Sequence, residues 1–84
     1  MKHGIFSIHD SKTGAFMTPF TNFNNATALR TFSDAIKQPD TNLNNHPEDY
    51  SLHRIGTFED DTGTIVPEPP KNLGLATEYK HDST

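Results

Sequence analysis

The chain has 84 residues, 31% of them hydrophobic, with no cysteine and a formal net charge of −4. That length holds one domain at most, and without cysteine neither a disulfide nor a thiolate-bound metal can stabilise it. The negative balance argues against indiscriminate phosphate binding, whose affinity comes from clustered Lys and Arg, and no apolar run approaches the roughly 20 residues that cross a bilayer.

Gly4 to His9 alternates apolar and polar residues and is predicted as a strand, with Phe6 and Ile8 on one face and Ile5 and Ser7 on the other. Asp10 to Gly14 is an acidic turn ending in Thr-Gly, where glycine takes positive φ without a Cβ clash. It returns the chain into a second strand, Ala15–Phe20, expected to set Phe16 across from Phe6 and Ile8 and to end or lie at an edge because of Pro19. Asn24 or Asn25 then caps a helix over Ala26–Lys37, whose Leu29, Phe32 and Ile36 make one apolar stripe. Arg30 and Asp34 pair one turn apart on its wet side, Lys37 complements the dipole, and Pro39 stops it.

Asp40–Asp49 is a polar connection with Leu43 as its lone apolar residue. Tyr50–Phe58 is the next strand, and its apolar residues switch parity between Leu52 and Ile55. Both faces are therefore partly covered, or a bulge lies near Arg54–Gly56. A second acidic turn ending at Gly63 repeats the first hairpin and leads into Thr64–Val66. From Pro67 the chain has three prolines in four residues and no periodicity. It is predicted as a polyproline-like exit and flexible C-terminal tail, anchored only by Leu73, Leu75 and Tyr79.

The expected fold class is α+β. Residues 1–66 form a single β-β-α-β-β domain, a small antiparallel sheet of two hairpins packing one amphipathic helix, and residues 67–84 form the Pro-rich exit and tail. A body this small buries only about 60% of its unfolded surface. Self-association into a homodimer or higher oligomer is therefore the expected remedy. The N-terminus shows no signal-peptide apolar region, and the reading expects a soluble protein without membrane contact.

Charge divides along the chain. Residues 1–37 carry Lys2, Lys12, Arg30 and Lys37 against Asp10 and Asp34, whereas residues 38–66 carry six acids against Arg54 alone. None of the five histidines (His3, His9, His46, His53, His81) pairs at a spacing that brings two nitrogens to one ion, so neither metal nor cofactor is expected. The acids around Asp10 and Asp60 read as turn chemistry rather than a calcium loop. No nucleophile set is visible in the sequence, and an enzyme is not expected. His46-Pro47-Glu48-Asp49-Tyr50 reads either as a turn entering the strand or as a recognition epitope. Aromatic residues near cations (Phe6, Phe16, Phe20, Phe23 and Tyr50 with Lys2, Lys12, Arg30 and Arg54) are the ingredients of a single-stranded nucleic-acid groove.

Several segments together carry a family likeness: Gly4-Ile-Phe-Ser-Ile8, Asp10-Ser-Lys-Thr-Gly-Ala-Phe-Met-Thr-Pro19, Ala28-Leu-Arg-Thr-Phe32, His46-Pro-Glu-Asp-Tyr50 and Leu52-His-Arg-Ile-Gly56. In that order, over roughly residues 1–70, the chain resembles the small nonstructural protein of gokushoviruses, single-stranded DNA bacteriophages of the microvirus group. The resemblance implies a non-enzymatic early protein of the host bacterial cytoplasm, acting in viral DNA replication, single-stranded genome synthesis or packaging. With it, the leading expectation is direct binding of single-stranded viral DNA, with Lys12, Arg30 and Arg54 on phosphates and Phe16 and Tyr50 stacking on bases. The alternative is an acidic adaptor that grips a viral or host replication protein, or a procapsid protein, with the loop His46, Pro47, Glu48 and Asp49. Which reading holds turns on whether the basic residues share one face.

Overall fold

The computed structural model of the chain describes residues 1–80. Its elements are β1 (Lys2–Asp10), β2 (Ala15–Phe16), β3 (Phe20–Asn22), α1 (Asn25–Ile36), α2 (Asn42–Asn45), a 3-10 turn (Pro47–Asp49), β4 (Tyr50–Glu59), β5 (Thr64–Leu75) and α3 (Ala76–Lys80). Both acidic turns close the same way. Gly14 donates its amide to the Asp10 carbonyl and Gly63 to the Glu59 carbonyl, each at 2.8 Å. The two glycines stand at φ +72° and +73°, in the left-handed region that a Cβ disfavours. The resulting hairpins lie side by side in one antiparallel sheet of order β2-β1-β4-β5, with β3 pairing β1 further along the same edge as β2.

The expected second strand is interrupted. Met17 donates to the Ile8 carbonyl at 2.8 Å, and the Ser7 hydroxyl donates to the Met17 carbonyl at 2.6 Å. Pro19 has no amide with which to continue the ladder, and pairing resumes only where Phe20–Asn22 meets Gly4–Phe6. The Asp10↔Ala15 register fixed by the turn sets Phe16 opposite His9. Phe16 therefore lies on the face away from Phe6 and Ile8, contrary to the expectation, because a register set by the turn decides the face of every residue after it.

Of the two alternatives for the parity switch in β4, the structure shows the bulge. β1 pairs Phe6 with Arg54 and then Ile5 with Gly56, which leaves Ile55 as the extra residue. The reading of residues 67–84 as an exit and flexible tail needs correction. The strand continues through Pro67, Pro69 and Pro70 to Leu75. β5 is an edge strand, where a missing amide donor faces no neighbour and proline is tolerated. The α3 turn then brings Ala76 into the core, fully buried. Tyr79 stands edge-on to Phe32, with ring centroids 6.2 Å apart. The fold thus extends past residue 66 to Lys80, and residues 81–84 of the expected tail, with His81, lie outside the described residues.

Helix α1 starts and stops one residue earlier than expected. The Asn24 side chain accepts the Thr27 amide at 2.9 Å, and the Thr27 hydroxyl accepts the Asn24 amide at 3.2 Å, a reciprocal cap. The helix buries Ala28, Phe32 and Ile36 against Phe6, Tyr50, Leu52 and Ala76, with Leu29 and Leu43 packed alongside. Phe6 lies across Gly4, where a Cβ would stand 2.5 Å from its ring. Helices cover one face of the sheet only, and the molecule measures 39 × 28 × 18 Å, its thin dimension holding one sheet and one helical layer. Among the described residues no helix is long and apolar enough to cross a membrane.

Candidate functional site

The five residues expected to hold nucleic acid do not share a face. Tyr50 is buried in the core beneath α1. Arg54 sits on the helix side of the sheet, opposite Phe6, and each of its three guanidinium nitrogens donates a hydrogen bond. It donates to Glu68 Oε1 at 3.2 Å, to Asn25 Oδ1 at 2.9 Å and to Thr57 Oγ1 at 3.1 Å, with Phe6 beneath it at 5.6 Å. The Thr57 hydroxyl (2.6 Å), and then Arg54, hold the Glu68 carboxyl below its ordinary value. Arg54 therefore ties the start of α1 to β4 and β5. Arg30 lines a shallow cleft with Leu29, Ser33, Asp34, Lys37 and Tyr79, on the outer side of α1. Lys12 is in the β1–β2 turn, and Phe16 is on the open face of the sheet.

The acidic residues do converge. The Ser11 amide donates to the Asp49 carbonyl at 2.8 Å, which fastens the β1–β2 turn to the 3-10 turn. Asp10, Lys12, Asn42, His46, Glu48, Asp49 and Tyr50 then line one polar cleft. Thr41 caps the α2 turn by accepting the Asn44 amide at 3.1 Å, and Pro47 starts the 3-10 turn, where its fixed φ suits the first helical position. Burial, with Asp10 and Asp49 adding to it, pushes the Tyr50 hydroxyl above its ordinary value. The 3-10 turn also gathers His46, Glu48 and Asp49 so that one ligand atom from each lies within 4.8 Å of the others, a donor set fit for a divalent cation. Sequence reasoning missed this trio because it tested histidine pairs and not a histidine with acids two and three residues on.

The uncovered face holds a second constellation. His9, Phe16 and His53 form a ring cluster, with centroids 4.7 Å (His9–Phe16), 5.4 Å (Phe16–His53) and 5.8 Å (His9–His53) apart. His53 Nε2 shares a hydrogen bond with the Ser51 hydroxyl at 2.9 Å, while its Nδ1 is buried without a partner. Burial, and then His9, lower the His53 pKa, so the neutral ring is the favoured form. Toward the other end of the sheet Ile5, Pro19, Phe20, Thr21, Phe58 and Ile65 line an apolar groove. Beyond it, Glu59, Asp60 and Asp61 surround the Met1 ammonium at 3.0, 2.6 and 3.2 Å. The hydrogen bonds that it donates to Asp60 and then Glu59 raise the pKa of that ammonium to about 10.

A protein-family model described as Phage ORF5 protein matches residues 3–79, a span that includes β5 and α3. No curated protein matches the chain, and no solved structure does.

Proposed function

The chain belongs to the Phage ORF5 protein family, and we propose that it acts, as a non-enzymatic nonstructural protein of a single-stranded DNA phage, in synthesis of the viral genome by gripping a protein of the viral or host replication machinery. The family match supports a phage protein. The ordered likeness of residues 1–70 to the gokushovirus nonstructural protein supports the virus group, the replication setting and the host bacterial cytoplasm.

One observation carries the adaptor reading. The acids Asp10, Glu48 and Asp49 meet with His46 around a single cleft that also takes in Lys12, whereas Arg30 and Arg54 lie elsewhere and Arg54 is already held by Glu68. A cleft lined mainly by one sign of charge selects a partner of the opposite sign and speeds its capture. The fitting occupant is a lysine- or arginine-bearing segment of a replication protein, and Pro47 and the 3-10 turn keep the loop pre-shaped for it.

Direct binding of single-stranded DNA is the second reading, favoured by the Phe16–His9–His53 rings on the open face, with Lys12 in the adjoining turn. Titration of a labelled single-stranded oligonucleotide across a salt series separates the two. The adaptor reading expects no saturable binding even at low salt. An affinity that falls steeply with salt and is lost in Lys12→Glu establishes the second reading instead.

A further inference from the structure

We propose that a second copy of this chain covers the open face of the sheet, about a two-fold axis lying in that face and perpendicular to β1. Phe16 of each copy then seats in the groove between Ile5, Phe58 and Ile65 of the other. Four observations carry the inference.

The first is the apolar surface left uncovered. Phe16 is 45% exposed and Ile65 65%, and no helix among the described residues covers this side. The second is that the edges of the sheet are closed to strand addition. Pro67, Pro69 and Pro70 occupy β5, and the opposite edge is broken between β2 and β3. Association by the face is what remains. The third is size: the two longer extents of the molecule, 39 and 28 Å, leave room for the roughly 800 Å² that each partner covers in a stable pair.

The fourth observation fixes the occupant and its orientation. Register places the β1–β2 turn, with Lys12 and next to Phe16, at the Tyr50 end of β4, and the β4–β5 turn, with Asp60 and Asp61, at the opposite end. The middle of the face, formed by His3, Ile5, Ser7, His9, Ser51 and His53, holds no Asp, Glu, Lys or Arg. A two-fold axis along the strands would stack the acidic turns on each other. The perpendicular axis brings the Lys12 turn of one copy to the end that carries the Asp61 turn of the other, twice, and sets the Phe16 end against the groove end. That groove holds about 260 Å³, room for an aromatic ring. Asp10 and Tyr50 lie on the helix side, so the acidic cleft meets the partner copy only at its Lys12 rim.

Sedimentation equilibrium of the full chain at about 50 µM, within the range where standard-size interfaces hold, tests this. Expected is a mass twice the 9.4 kDa of one chain. Ile65→Lys and Phe16→Glu, both at exposed positions, are expected to weaken the pair by about tenfold or more, with far-ultraviolet circular dichroism unchanged. Lys12→Glu and Asp61→Lys are each expected to weaken it as well, and the double swap to restore it, which only the crossed orientation allows. A wild-type monomer, a higher oligomer, or a dimer indifferent to all four substitutions overturns the proposal. A labelled oligonucleotide bound at Phe16 by a monomer assigns the face to nucleic acid instead.

Discussion

Phe6→Ala is expected to lower the unfolding free energy by about 3–5 kcal/mol, the range for removing a buried phenyl ring. Phe6 is fully buried at the centre of the helix-covered face. Its ring is 5.9 Å from that of Phe20, carries the Arg54 guanidinium at 5.6 Å and lies over Gly4. No small residue restores those contacts, and relaxation is limited because the backbone of β1 is paired on both sides. A domain of this length has roughly 5–10 kcal/mol of stability, so the variant loses a large part of it. Urea unfolding followed by circular dichroism measures the effect. The conservative Phe6→Leu is expected to cost about 1–2 kcal/mol, since most of the volume stays. An unchanged midpoint for Phe6→Ala would place the core elsewhere.

Truncation after Leu75 is expected to cost about 2–4 kcal/mol, from the apolar area of Ala76 and Tyr79 and the aromatic contact they support. Ala76 is fully buried, the Tyr79 ring meets Phe32 edge-on, and the Tyr79 hydroxyl donates to the Leu73 carbonyl at 3.4 Å. The Glu78 carboxylate also accepts the Leu75 amide at 3.2 Å. The same urea experiment decides the point. A truncated chain with the midpoint of the full chain would mean that α3 adds nothing to the body and behaves as the tail the composition suggests.

That contrast shows where the sequence was legible. The hairpins could be read because their determinants are local: an acid, a Thr-Gly and a positive φ at Gly14 and Gly63. The cap at Asn24 and the bulge after Arg54 were equally local, one a side chain reaching its own helix, the other a break in period two. Residues 67–75 were not legible. Three prolines read as an exit unless it is known that the strand lies at an edge, and that is a property of the assembled sheet. Phe16 was set on the wrong face because the length of the preceding turn, not its own alternation, fixed its register.

The site divides along the same line. Alternation grouped Tyr50, Leu52 and Arg54 on one face of the strand, and the register confirms it. What alternation lacks is the identity of the covering layer. Helix α1 and Glu68, distant in sequence, hold Tyr50 in the core and Arg54 in an ion pair, so the two share no exposed stacking groove. The loop His46–Asp49 was visible as a dense polar motif, but its convergence with Asp10 depends on the Ser11–Asp49 bond between two turns far apart in the chain. Local chemistry was readable wherever a residue's partner lay within a few positions, and unreadable where the partner came from another element.

The claim that the acidic cleft takes a protein is tested most directly by isolating the tagged wild-type chain and a Glu48→Lys/Asp49→Lys variant in parallel from phage-infected cells, each with and without nuclease treatment. Glu48 is exposed and Asp49 half-buried on the 3-10 turn, neither in the core, so the variant is expected to fold with an unchanged circular dichroism spectrum. The predicted result is a replication protein that stays on the wild-type chain after nuclease treatment and is absent from the variant. Nucleic acid held equally by both chains, with every accompanying protein released by nuclease, would contradict it.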